Sequence, residues 1–174
     1  GRPAGSTFKP IAVYAPAMDL GYIQPGSVVA DIPGHSGYSP PNYGRGFYGL
    51  VSARESLTYS YNVSTVEIYK KILHETPEKK YLENVIGAPA IGLGTNNVTV
   101  EQNTAAFATI GNGGEYVEPY MIEKITDSNG NVIYEYEPEP REVFSPQTAY
   151  LTYDMMRDVL SSGTGTYARS QLKH

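Results

Sequence analysis

Near the start of the chain a serine stands three residues ahead of a lysine, in Arg2-Pro3-Ala4-Gly5-Ser6-Thr7-Phe8-Lys9-Pro10. A glycine precedes the pair and an apolar run follows it, so the pair reads as the opening of a helix. Residues i and i+3 share one helix face, which predicts Ser6 Oγ and Lys9 Nζ within hydrogen-bond reach. A serine hydroxyl is a poor nucleophile until a base takes its proton. Lysine is that base only where burial or neighbouring cations lower its pKa. Taken alone, the same residues also read as a capping serine and a surface lysine.

The chain has 174 residues, 40% of them hydrophobic, enough for one domain with a real core. Net charge is −5 and no run of Lys or Arg occurs, which excludes a nucleic-acid footprint and a basic membrane-surface helix. With no cysteine, disulfides, zinc–thiolate sites and thiol nucleophiles are excluded. His35, His74 and His174 stand apart, without metal-ligand spacing, and are expected at the surface; no metal or cofactor is expected. No stretch approaches the roughly 20 apolar residues of a membrane span. The sequence opens in mid-motif and reads as a piece of a longer protein, so an anchor is expected outside it.

Ser6 is expected to cap a helix over 6–20, with Pro16 as an awkward interior residue that ends or kinks it and Gly21 as its stop. Residues 22–49 are rich in Gly, Pro, Tyr and Ser and read as a long ordered loop with a short strand at 27–31. A helical region spans 52–111, with helices at 52–59, 64–73, 81–86 and 100–111. The last begins at a capping-box pattern, Thr99-Val100-Glu101-Gln102, and stops at Gly111-Asn112-Gly113-Gly114. A β-hairpin is expected over 116–137 around Ser128-Asn129-Gly130-Asn131, then a helix over 146–160 behind Ser145-Pro146.

A second constellation, Ser60-Tyr61-Asn62, falls on a break between two helices. A hydroxyl and an amide two residues apart on such a turn can point into one cleft; the hydroxyl relays a proton and the amide holds an amide substrate. Alone, the pair reads equally as a cap and a turn.

Together these segments resemble the transpeptidase domain of penicillin-binding proteins, most of all the bifunctional class A type. Arg2 to Pro10 matches the family's first motif. Pro40-Pro41-Asn42-Tyr43 and Gly49 to Leu57 resemble the approach to its second motif, here Ser60-Tyr61-Asn62. Ala106 to Gly114 resembles a helix end of the family. Ser145 to Tyr150 and Gly163-Thr164-Gly165-Thr166 match the stretch before its third motif, but no Lys-Ser/Thr-Gly occurs in these residues.

The resemblance implies an α+β fold: the α-rich portion of the penicillin-recognising serine transpeptidase (β-lactamase-like) fold, with a β-hairpin and most of the central sheet missing. It implies Ser6 as the acyl-accepting nucleophile, Lys9 as its base, Ser60 in proton transfer to the leaving group and Asn62 as the holder of the substrate amide. The Ser6 N–H would be half of an oxyanion hole. Implied partners are peptidoglycan stem peptides, β-lactam antibiotics and the remainder of the same domain, at an extracytoplasmic location with the anchor elsewhere in the parent protein. A hydrolase (D,D-carboxypeptidase or β-lactamase) and a non-catalytic β-lactam sensor or scaffold are the alternatives. Lacking the third motif, this chain is expected to be inactive by itself.

Overall fold

The computed structural model describes residues 1–34, 37–44, 46–75 and 92–172. The helix expected over 81–86, His35, His174 and the side chain of His74 lie outside the described residues.

Instead of one uniform helix over 6–20, the chain runs through three helical grades. Gly5–Phe8 is a 3-10 turn, Pro10–Tyr14 is π-helical, and Ala15–Asp19 (α1) is α-helical. Pro16 has no N–H to offer an α-helical ladder. The wider register before it copes with this: the Ala15 N–H reaches back to the Pro10 carbonyl. Ser6 is not the cap either; Ala4 holds that position and Thr7 Oγ1 donates to the Ala4 carbonyl at 2.7 Å. α1 stops at Gly21, at φ 77°, where the Gly21 N–H bonds the Met18 carbonyl and the Tyr22 N–H bonds that of Ala17.

Val13, Tyr14, Ala15 and Ala17 are fully buried, so this helical run is the axis of the core. A helix apolar on all sides belongs inside. Around it pack Val29, Val51, Leu57, Ile68, Tyr69, Ile72 and Met155.

The expected loop over 22–49 holds more order than its composition suggests. Val28–Asp31 (β2) pairs antiparallel with Gly49–Ser52 (β3), with Val29 opposite Val51 and Asp31 opposite Gly49. Ser52 then caps Ala53–Thr58 (α2) by accepting the Glu55 N–H at 3.0 Å. Val63–Glu75 (α3) follows.

Arg2–Pro3 (β1) pairs antiparallel with Asn97–Val98 (β4). Val100–Gly111 (α4) starts at a reciprocal capping box: Thr99 Oγ1 accepts the Gln102 N–H and Gln102 Oε1 accepts the Thr99 N–H, each at 3.0 Å. The single hairpin expected over 116–137 is two nested pairings. Glu115–Tyr116 (β5) pairs outward with Arg141–Glu142 (β8), while Lys124–Thr126 (β6) and Val132–Glu135 (β7) form the inner hairpin. Asp127 fixes that inner turn by accepting from the N–H groups of Asn129 and Asn131.

Pro146–Ser161 (α5) is capped by Ser145, whose N–H and hydroxyl both bond Asp19 Oδ1 at 3.0 Å, tying the end of α1 to the start of α5. Arg54 of α2 forks onto Asp154 and Asp158 of α5, at 2.7 Å each. A short helix not expected from sequence, Thr166–Gln171 (α6), closes the described chain. The result is an α-rich α+β fold. Among the described residues its strands form four separate two-stranded sheets.

Candidate active site

β1, pinned on β4, delivers the chain to Ser6. The Gly5 N–H bonds the Gly94 carbonyl at 2.9 Å. Position 94 must be glycine for the two backbones to meet, because a Cβ there would run into the Gly5 carbonyl. Ser6 lies exposed in the 3-10 turn. The first N–H groups of a helical run have no partner within it, and that of Ser6 is among them.

One turn on, Lys9 is fully buried. Its Nζ does not turn back to Ser6. It reaches the break between α2 and α3, where it meets the carbonyls of Ser60 (2.7 Å) and Tyr61 (3.1 Å), Asn62 Oδ1 (2.7 Å) and Ser60 Oγ (3.0 Å). Burial lowers its pKa from 10.5 to about 7, against the opposing charge of Asp31. An ammonium has three N–H groups, enough for the three carbonyl-type oxygens. The free amine has two N–H groups and a lone pair, and Ser60 Oγ–H is the neighbour able to donate to that pair. The lysine therefore sits between its two protonation states near neutral pH, with a hydroxyl against it.

Ser60 owes its direction to the end of α2. The Ser60 N–H bonds the Leu57 carbonyl and the Tyr61 N–H bonds that of Ser56, a closure that requires a left-handed residue at position 60. Ser60 is that residue, at φ 57°, and is the one non-glycine with positive φ among the described residues. This backbone turns both its carbonyl and its hydroxyl onto Lys9 Nζ.

Asn62 spends its side-chain oxygen on Lys9, while its Nδ2 donates to the Pro41 carbonyl at 2.7 Å. One hydrogen of that amide is left for another acceptor. The Asn62 N–H is held by Asn42 Oδ1 at 2.6 Å. Beneath lies a buried hydroxyl chain. Thr65 donates to the Tyr61 carbonyl at 2.6 Å, so Tyr14, 3.0 Å away, must donate to Thr65. Ser56, 2.7 Å from Tyr14, then donates to Tyr14. Burial pushes the Tyr14 phenol up to about 12, so it stays a neutral donor.

Ser6 and Ser60 line one cleft of about 290 Å³, with Leu57, Phe107, Met156 and Thr164 around it. The geometry thus gathers Ser60, Asn62 and Lys9 into direct contact and brings Ser6 to the same cleft without a bond to Lys9. Sequence reasoning missed Asn42 as part of the constellation; its signal was Pro40-Pro41-Asn42-Tyr43, read only as a point of resemblance.

An exposed serine beside a buried lysine that titrates near neutrality is the equipment of a serine acyl-transfer site. The penicillin binding protein transpeptidase domain family matches residues 2–89 and, overlapping them, 75–173, and the chain belongs to that family. It is similar to penicillin-binding protein 1F of Bacillus subtilis, 35% identical over 172 residues covering 95% of this chain and 24% of that protein. Penicillin-binding protein 1A of Clostridium acetobutylicum is 34% identical over 192 aligned positions, covering 97% of this chain and 23% of that protein. The chain therefore spans about a quarter of the length of the curated relatives it matches. In fold it resembles the crystal structure of penicillin-binding protein 1A from Haemophilus influenzae, with TM-score 0.76, 22% identity and coverage of 98% of this chain and 32% of that one. It also resembles the imipenem acyl-enzyme of penicillin-binding protein A from M. tuberculosis, with TM-score 0.72, 23% identity and coverage of 92% and 44%.

Proposed function

We propose that these residues belong to a serine D,D-transpeptidase that cross-links peptidoglycan stem peptides. The observation that carries the reading is the caged Lys9 Nζ, held by Ser60 and Asn62 beside the cleft that Ser6 lines. Ser6 Oγ attacks the carbonyl of a D-Ala-D-Ala bond, and its proton passes to the free amine of Lys9 through Ser60 Oγ, which lines the cleft with Ser6 and touches Lys9 Nζ. The C–N bond breaks, the departing D-Ala amine takes its proton from Lys9 by way of Ser60 Oγ, and an ester remains on Ser6. An amine of a second stem peptide then attacks the ester, forms the cross-link and frees Ser6. The remaining Asn62 Nδ2 hydrogen meets the substrate's amide carbonyl, and the Ser6 N–H supports the oxyanion.

A β-lactam enters the same path as a donor analogue and stops at the ester. The parent protein acts outside the cytoplasmic membrane, where its substrate is, and is held there by an anchor; among the described residues no helix is long and apolar enough to cross a membrane. The 174 residues by themselves acylate slowly or not at all, since removing one oxyanion donor alone costs ~10²–10³-fold and no Lys-Ser/Thr-Gly motif is present in them.

Fluorescent penicillin, applied to the full-length protein and followed by peptide mapping, tests the assignment. Label is expected on Ser6 and absent in Ser6→Ala. Label on another serine defeats it. Stable labelling without turnover of a D-Ala-D-Ala peptide would instead mark a sensor.

A further inference from the structure

A buried carboxylate underlies this site and belongs to neither of its motifs. Asp31, the last residue of β2, is fully excluded from solvent. Its Oδ2 accepts from Asn42 Nδ2 at 2.7 Å and from the Tyr48 N–H at 3.0 Å. Its Oδ1 has no hydrogen-bond partner among the described residues. A buried ionised carboxylate left half unmatched is costly unless an opposite charge lies near.

Both groups that bond Asp31 lead to the turn around Lys9. The Asn42 side chain is almost fully buried and fully committed. Its Nδ2 donates to Asp31 and to the Gly46 carbonyl (3.0 Å), and its Oδ1 accepts the Asn62 N–H. Swapping the amide ends would set oxygen against oxygen and N–H₂ against N–H, so these partners fix its orientation. Tyr48, held by its N–H, stacks its ring on that of Tyr61, with centroids 4.4 Å apart and planes 14° from parallel. Asp31 thus grips the 60–62 turn from two sides.

We infer that Asp31 is a positioning residue of this site: through Asn42 and Tyr48 it locks the turn that cages Lys9, and its charge balances the buried lysine. The inference rests on the reading of Lys9 as the base. Desolvation drives the lysine towards the free amine, and Asp31 limits that fall to about 7. A base much weaker than that would hold the serine proton poorly. The neighbouring titratable groups are few. Tyr14 and Tyr61 are phenols kept neutral up to about 12 by burial. Tyr48 lies against Tyr61, Glu55 of α2 acts on Tyr61, and Glu67 of α3 accepts the N–H of Ala30 beside Asp31. Among the described residues, Asp31 is the charge that acts on Lys9.

Asp31→Asn separates charge from shape. The new oxygen can keep the bonds from Asn42 and Tyr48, and the new N–H₂ takes the place of the oxygen without a partner. The test is the rate of acylation by fluorescent penicillin against pH, in the full-length protein. The wild type is expected to lose half its plateau rate near pH 7. In Asp31→Asn that midpoint moves to lower pH. At pH 6 its rate, as a share of its own plateau, is then at least about twofold that of the wild type.

An unmoved midpoint in a folded Asp31→Asn protein overturns the inference while leaving Lys9 as the base. A wild type without a midpoint near 7 overturns the base reading, and the inference falls with it. Should Asp31→Asn fail to fold, Asn42→Ala decides: a plateau lowered at least about tenfold, with the midpoint kept, supports the clamp, and an unchanged plateau overturns it.

Discussion

α1 and α2 end on the same pair of hydrogen bonds, yet one closes through Gly21 and the other through Ser60. At both ends the residue two past the helix cap region bonds back across the last turn, and the residue before it is left-handed. Glycine enters that conformation freely; another residue incurs about 1–2 kcal/mol. α1 takes the free option, and a Cβ at Gly21 would meet nothing within 4 Å. α2 takes the strained one, and there the side chain has a partner: Ser60 Oγ lies 3.0 Å from Lys9 Nζ. Strain retained where a reactive group needs aiming, and absent where it does not, is the expected signature of a functional turn.

The harshest way to break this comparison is to remove what Ser60 faces. Lys9→Met should cut penicillin acylation of the full-length protein by ~10²–10⁴-fold, the usual share of a general base. It should also change how stability responds to pH. Lys9 has its folded pKa at about 7, below its ordinary 10.5. Between those values the unfolded chain binds a proton that the folded chain lacks, so folding stability rises with pH across that window. The slope is up to about 1.4 kcal/mol per unit. Urea titrations of wild type and Lys9→Met between pH 6 and pH 10, subtracted from each other, isolate that slope. Parallel curves would mean that burial does not lower the pKa of the lysine.

Ser60→Gly makes the two helix ends alike. It should raise stability by about 1 kcal/mol as the left-handed strain is relieved, while acylation falls by roughly 10². A gain in stability without a loss in rate would show that the hydroxyl is not in the proton path. Gly21→Ala is the mildest change and the mirror of it. The helix end should lose about 1 kcal/mol in a thermal melt, and acylation should stay at the wild-type level. A rate loss there would tie the α1 terminus to the site in a way its contacts do not indicate.

What the sequence made legible follows the range of the forces involved. α4 could be bounded from Thr99, Gln102 and Gly111 because capping acts over three or four residues. The start of α5 was readable at Ser145-Pro146 for the same reason. β3 escaped notice because Gly49–Ser52 becomes a strand only by pairing with β2, some twenty positions back. The true partner of β5 was hidden likewise, since Arg141–Glu142 carries no local mark of a strand. In the site, Ser6, Lys9, Ser60 and Asn62 stood out by type and spacing, but the spacing pointed Lys9 at Ser6. Tertiary packing points it across the core to residues 60–62 instead. Asp31 went unmarked in the sequence, although a charge that closes an otherwise apolar stretch, Val28-Val29-Ala30, is an unusual placement.

The pairing of β1 with β4 also sets an order of events in folding. The residues it joins lie about 95 positions apart, so bringing them together costs loop-closure entropy that neighbouring elements avoid. α2 and α3 sit side by side in the chain, and the turn between them, cage and all, can form early. The approach to Ser6 cannot be fixed until Asn97 and Val98 have been synthesised and folded back. Ser6 is therefore among the first residues of these 174 to be made and among the last to be aimed.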